Sequence, residues 1–334
     1  MVLRRPALFA SAVAAALVLT ACSDDPAPAP AEPEASEGTA GTITEISPLT
    51  GEPLPDGKPS HPVFVVKIEN TSSGAPQYGL SAADVVVEEL VEGGLTRLAA
   101  MYYSEVPDKV GHVRSLRGTD VGIAKPVGGR IVATGGAPAS VSKVARAKVA
   151  MTTEDTGGSG FSLDGAKSAP YNRLVDLAGL AKRAKAPKTI KPYFEFTPIG
   201  EDGLEAKRQK ATRASVRFSA AATTQWKLSD GRWVRTNGHA NKEFRADTLV
   251  VMFAPVGDAG YRDPAGNPVP ETTMKGSGRA VVLTKDGALE GTWSKKASGS
   301  TVSLKTRKGT PIPVDPGKTW VELVPKGDGA VSYS

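Results

Sequence analysis

Thiols and imidazoles are scarce in this chain. One cysteine in 334 residues excludes a disulfide framework, a thiolate zinc cluster, an iron–sulfur cluster and a CxxC redox pair together. Three histidines, His61, His112 and His239, are too few and too scattered for a histidine-rich metal site. No metal and no other cofactor is therefore expected. After residue 21 no apolar run approaches the ~20 residues of a membrane span. Aromatic residues make up 6%, against 36 glycines and 26 prolines, a balance that favours short strands and many turns over a helical bundle. A chain of 334 residues is long enough for two domains at the usual ~150 residues each.

What is present begins at the N-terminus. Arg4 and Arg5 precede an uncharged run from Pro6 to Ala21 dominated by Ala, Val and Leu, the basic and short apolar regions of an export signal. The run ends Leu19-Thr20-Ala21-Cys22, which resembles the lipobox of bacterial lipoproteins, in which the cysteine is lipidated and becomes the mature N-terminus. Two or three acyl chains on Cys22 would suffice for stable anchoring to the membrane. Residues 1–22 are therefore read as a lipoprotein signal peptide. Residues 23–47, rich in Pro, Ala, Glu and Ser with six acids and no base, read as a disordered acidic tether. Removing Arg4, Arg5 and those six acids takes the formal charge from +6 to +10 for residues 48–334. An exported basic body suits an anionic envelope surface rather than nucleic acid, which it would rarely meet. The alternative is an excess spread evenly for solubility.

Residues 48–200 read as an α/β domain. Val63 to Ile68 is a buried-strand run, and the strands 84–91 and 95–103 flank a hairpin turn at Glu92-Gly93-Gly94. Val110 to Val113 reads as a short strand, with Ser115 as the N-cap of a helix carrying Leu116, Ile123 and Ala124. Arg130 to Thr134 reads as a strand parallel to it, followed by Gly135-Gly136-Ala137-Pro138 and a second helix. This arrangement would bring Arg97, Arg114, Ser115, Arg117 and the Gly135-Gly136 backbone to one sheet edge, where open α/β sheets bind ligands. Arg117 in a first helical turn would oppose the helix dipole, so a negative group should face it. Either a ligand or an internal acid such as Glu69, Glu88, Glu92 or Asp120 meets that need. Asn172 reads as the cap of a helix over 173–185. The serine of Gly157-Gly158-Ser159-Gly160 lacks the strand and helix a nucleophile elbow requires.

A polar connector, 201–212, leads into 213–328, where eight short strands and the turns Asp230-Gly231 and Asp286-Gly287 indicate a mainly antiparallel β domain, a sandwich or barrel. The whole is α+β. All four tryptophans, 226, 233, 293 and 320, fall in this part, either as a sugar-stacking platform or, preferred because each lies in or beside an apolar strand, as core.

The blocks Ile68-Glu-Asn70, Pro76-Gln77-Tyr-Gly79-Leu80, Ala83-Asp84, Glu88, Glu92-Gly93-Gly94-Leu-Thr96-Arg97 and Val113-Arg114-Ser115-Leu-Arg117 resemble the YerB-like lipoproteins, a bacterial family of unknown function with N- and C-terminal parts. Gly291-Thr292-Trp293 and Pro316-Gly317-Lys318-Thr319-Trp320-Val321 resemble its second part. His112 stands where the family tends to have proline, and Tyr171 replaces a histidine of its Ala-Pro-His-Asn block, which argues against a retained catalytic histidine. The resemblance implies a two-domain lipoprotein on the outer face of the cell membrane and supplies no reaction. The candidate site residues are Asn70, Glu88, Glu92, Thr96, Arg97, Arg114, Ser115, Arg117, Gly135, Gly136 and Asn172. The expected function is non-catalytic binding of an anionic wall ligand or an envelope protein partner, with Glu88 and Glu92 orienting the arginines. The alternative is a hydrolase of a cell-wall or lipid-linked substrate in which Glu88 or Glu92 is the base and Arg114 and Arg117 hold developing charge.

Overall fold

A computed structural model describes residues 45–334 apart from Asp202. Cys22, the signal and most of the expected tether lie outside the described residues. The body begins earlier than expected, since Ile46 bridges Pro53 and Ser47 is buried.

The chain is α+β, and a single ten-stranded mixed sheet organises it. In spatial order its strands are Ser303–Thr306, Gly287–Lys295, Gly276–Thr284, Thr248–Ala254, Thr319–Pro325, Val85–Leu90, Thr96–Tyr102, Phe64–Glu69, Arg130–Ala133 and Ala150–Thr153. The hairpin between 85 and 102 turns through Gly93 and Gly94, both at φ near +70°, a backbone that glycine adopts without a Cβ penalty. Thr319–Pro325 runs parallel to Thr248–Ala254 on one side and to Val85–Leu90 on the other, so the C-terminal strands join the N-terminal ones edge to edge. Residues buried on both faces of a sheet read as continuous apolar runs, as in Val85-Val-Val87 and Thr248 to Ala254.

Each face has its own core. One packs Val65, Val87, Met101, Val250 and Met252 under the helices Asp120–Ala124 and Pro138–Arg146. The other packs Val86, Ala100, Val251 and Leu283 under an antiparallel five-stranded sheet, ordered Arg245–Ala246, Arg232–Arg235, Thr223–Ser229, Arg213–Arg217 and Ala330–Tyr333. All four tryptophans are buried, so none forms an exposed stacking platform. The last strand lies beyond the expected boundary at 328 and closes this second sheet against Arg213–Arg217.

Three local expectations are corrected. Ser115 caps no helix. The Arg114 N–H donates to the Lys67 carbonyl at 2.9 Å and the Leu116 N–H to the Gly135 carbonyl at 2.8 Å, so tertiary backbone bonds hold this stretch extended and the helix begins only at Asp120. Val110–Gly111 does not run parallel to Arg130–Ala133; it pairs antiparallel with Arg173–Val175, while Arg130–Ala133 runs parallel to Phe64–Glu69. Asn172 is likewise no cap. Arg173–Val175 is a strand, and the following helix, Leu177–Arg183, is capped by Asp176, whose Oδ1 accepts from the Gly179 N–H at 2.7 Å. An N-cap carboxylate contributes ~1 kcal/mol, so Asp176→Ala is expected to lower stability by about that amount in urea titration, and Asn172→Ala by much less.

Candidate functional site

The ends of the strands Phe64–Glu69 and Val85–Leu90 and the start of Thr96–Tyr102 carry charge where their middles are apolar. Successive side chains on a strand point to opposite faces. Glu69, Arg97 and Glu89, paired across the three strands, therefore share the helix-covered face, while Glu88 and Thr96 point to the other.

On the helix-covered face the candidate arginines converge. Arg117 donates from Nη2 and from Nε, the latter at 3.0 Å, to the Glu92 carboxylate, and Arg114 donates from Nη1 to Glu69. Arg117 is not in a helical turn; the Asp120 carboxylate, at the start of the short helix, accepts from its backbone N–H at 2.7 Å. The Arg114 guanidinium stacks over Tyr171, 4.7 Å from the ring centre. Beneath them lies a fully buried triad in which Lys67 donates to Glu89 and, at 2.6 Å, to Asp120.

Arg97 is different. It is 4% exposed, with Nη2 3.7 Å from Glu69 and Nη1 3.9 Å from Glu92, outside hydrogen-bond reach. Its Nε and Nη1 have no hydrogen-bond partner among the described residues. Burial pushes its guanidinium down to about 10, and the nearby Arg117 and Arg114 charges act in the same direction against Glu69 and Glu92. Burial also pushes the Glu92 carboxyl up, but the Arg117 hydrogen bond and the Arg97 and Arg117 charges outweigh it and hold Glu92 below the usual range. Glu92 thus orients Arg117 as expected, whereas the partner of Arg114 is Glu69, and Glu88 touches no arginine.

The remaining expected residues fall around this cluster. Ser115 is half-buried between Arg114 and Arg117 in the chain. A Cβ on Gly135 would collide with the Asp155 carboxylate, and the Gly135 carbonyl is engaged by Leu116, so an acidic side chain already stands at that turn. Gly136 packs on Leu116. The Asn172 side-chain oxygen accepts from Arg173 Nη1 at 3.1 Å.

Asn70, Glu88 and Thr96 come together on the opposite face, in the wall of a cavity of about 230 Å3 closed by the five-stranded sheet. Asn70 Nδ2 donates to Glu88 Oε1 at 3.0 Å and to Thr96 Oγ1 at 2.9 Å, and Thr224 Oγ1 donates to Glu88 Oε1 at 3.0 Å. Arg235 and Glu322 belong to this constellation and were not anticipated. A glutamate inside the apolar run Thr319–Pro325 was the available signal for Glu322; nothing local marks Arg235.

This chain belongs to the DUF3048 family, proteins of unknown function, whose N-terminal domain matches residues 49–190 and C-terminal domain residues 214–321. Among its relatives is the Bacillus subtilis (strain 168) protein described as "Putative lipoprotein YerB", 26% identical over 302 residues that span 85% of this chain and 87% of that one. The crystal structure of the Bacillus subtilis YerB protein shares the fold with a TM-score of 0.70 at 21% identity, over 86% of this chain and 99% of that one.

Proposed function

We propose that this protein is an extracytoplasmic lipoprotein, anchored to the outer face of the cell membrane by a lipid on Cys22, whose body binds an anionic envelope group at Arg97, Arg114 and Arg117 without turning it over. The anchoring follows from the lipobox and from the relative described as a lipoprotein. The observation that carries the binding site is Arg97, a buried guanidinium that donates no hydrogen bond and keeps two unpartnered nitrogens. Leaving a buried donor unsatisfied costs ~1–3 kcal/mol, and more for a charged group. An oxyanion supplies the missing acceptors, and guanidinium groups bind phosphate and carboxylate oxygens in matched geometry. Arg114, Arg117 and Glu92 are each partly exposed at 10–17%, which gives the cluster its opening to solvent. Glu92, kept ionised by its arginines, serves as a clamp and is unsuited to act as a base near neutral pH.

Thermal unfolding in inorganic phosphate, at constant ionic strength set with chloride, tests this reading. At 100 times its dissociation constant phosphate should add ~2.7 kcal/mol, about 5 °C for a body of this size. Arg97→Met should abolish the shift while the phosphate-free protein keeps or gains stability, because an apolar side chain of similar volume replaces a buried guanidinium with unsatisfied donors, and Glu69 and Glu92 keep Arg114 and Arg117 as partners. An equal shift in Arg97→Met, or none in the wild type, would overturn the assignment.

A further inference from the structure

The cavity on the other face of the same sheet has the opposite electrostatic character. Glu88 lines it, and Glu322 stands beside Glu88 in register on the parallel strands Val85–Leu90 and Thr319–Pro325, the two at 1% and 0% exposure. One oxygen of each is engaged: Glu88 Oε1 by Asn70 and Thr224, and Glu322 Oε1 by the Trp226 indole N–H at 2.6 Å. The remaining oxygens, both Oε2, have no hydrogen-bond partner among the described residues. No lysine or arginine among the described residues bonds to either carboxyl, so negative charge on this wall is unpaired.

The one cation in the cavity wall does not offset that charge. Arg235 donates from Nε to Glu243 at 3.1 Å, from Nη1 to Asn70 Oδ1 at 2.9 Å and from Nη2 to Gln77 Oε1 at 3.0 Å, and its guanidinium lies over Trp320. Its charge is matched by Glu243 and its nitrogens are occupied. The rest of the polar wall is hydroxyl, amide and one imidazole: Thr71, Thr96, Thr223, Thr224, Asn237 and His239.

We propose that this cavity is a second binding site, distinct from the arginine cluster, for a small ligand that carries a protonated amine next to hydroxyl groups. Glu88, with an unpartnered oxygen in the wall, selects the ammonium, and threonine hydroxyls, which both donate and accept, match vicinal hydroxyls. The volume is several times the ≈30 Å3 share of a water molecule, enough for one ring-sized group. The strands wall this site off from Arg97, since Thr96 and Arg97 leave the backbone to opposite faces.

Calorimetric titration of the full chain at pH 6.5 with glucosamine, glucose and N-acetylglucosamine separates the amine from the hydroxyls. Glucosamine is expected to bind at least tenfold more tightly than either neutral sugar. Glu88→Gln should weaken it tenfold or more, and Thr224→Val, which removes a hydroxyl and its hydrogen bond to Glu88 but leaves both carboxyls in place, should weaken it to a smaller degree. Saturating phosphate should leave glucosamine in place, so a failed phosphate response does not bear on this site. Equal binding of all three sugars, no glucosamine binding by the folded wild type, undiminished binding in both variants, or displacement by phosphate would each overturn the proposal.

Discussion

Lys67→Met should destabilise the protein by about 3–5 kcal/mol, read as a lower urea midpoint with an unchanged slope. Lys67 is fully buried, and its ammonium is the shared donor to Glu89 and Asp120 beneath the arginine cluster. Methionine fills much of the same volume, so little of the loss comes from packing; it comes from two carboxylates stranded in low dielectric without their cation. Burial already pushes the Glu89 carboxyl up, against the opposing pull of Lys67. In Lys67→Met this carboxyl takes up a proton more readily still. The cost should therefore fall at low pH, and the double variant Lys67→Met with Glu89→Leu should recover part of it. A single-variant loss below about 1 kcal/mol would show that Lys67 does not hold the two acids together. A large loss that Glu89→Leu fails to relieve would assign it to Asp120 alone, whose other oxygen caps the Arg117 N–H.

Glu322→Gln should have the opposite sign and a clear pH dependence. Burial, and next the Glu88 charge, push the Glu322 carboxyl well above the ordinary carboxylate range. The folded state consequently holds a proton that the unfolded chain releases near pH 4.5. The stability this contributes is complete below that point and is lost as pH rises through the folded titration. Each unit of elevation corresponds to ~1.4 kcal/mol. Glutamine keeps the acceptor for Trp226 and presents an N–H in place of the Glu322 carboxyl proton, with nothing to ionise. Urea unfolding at pH 4 should find Glu322→Gln and the wild type alike, whereas at pH 8 the variant should be more stable by one to several kcal/mol. A variant equally destabilised at both pH values would mean that Glu322 holds no proton in the folded protein and that the glutamate serves packing alone.

The two sites differ in how far they can be read along the chain. Arg97, Arg114, Arg117 and Glu92 fall within 26 residues, in blocks distinctive enough to predict an arginine-rich edge, and Glu69 stands among the acids expected to balance it. Their partnering was open, because a choice between Glu69, Glu88 and Glu92 turns on which strand face each occupies. The alternation of the hairpin does place Glu88 with Thr96 and away from Arg97. The companions on that other face are distant: Thr224 reaches Glu88 across 136 positions and Arg235 reaches Asn70 across 165. No local pattern encodes such pairs.

The amino-acid sequence by itself determined the elements whose causes are local: the Gly93-Gly94 hairpin, the strand runs of the second half, the helix opening at Pro138 and the burial of the tryptophans within apolar strands. Tertiary structure alone decided that Ser115 and Asn172 cap nothing, since backbone bonds from Arg114 and Leu116 to Lys67 and Gly135, and strand pairing at Arg173–Val175, outcompete a helical turn at each place. It also decided that one sheet carries charge on both faces of the same strand ends. That outcome depends on Thr319–Pro325 entering between Thr248–Ala254 and Val85–Leu90, a long-range parallel pairing that sets Glu322 beside Glu88 and that no short-range preference specifies.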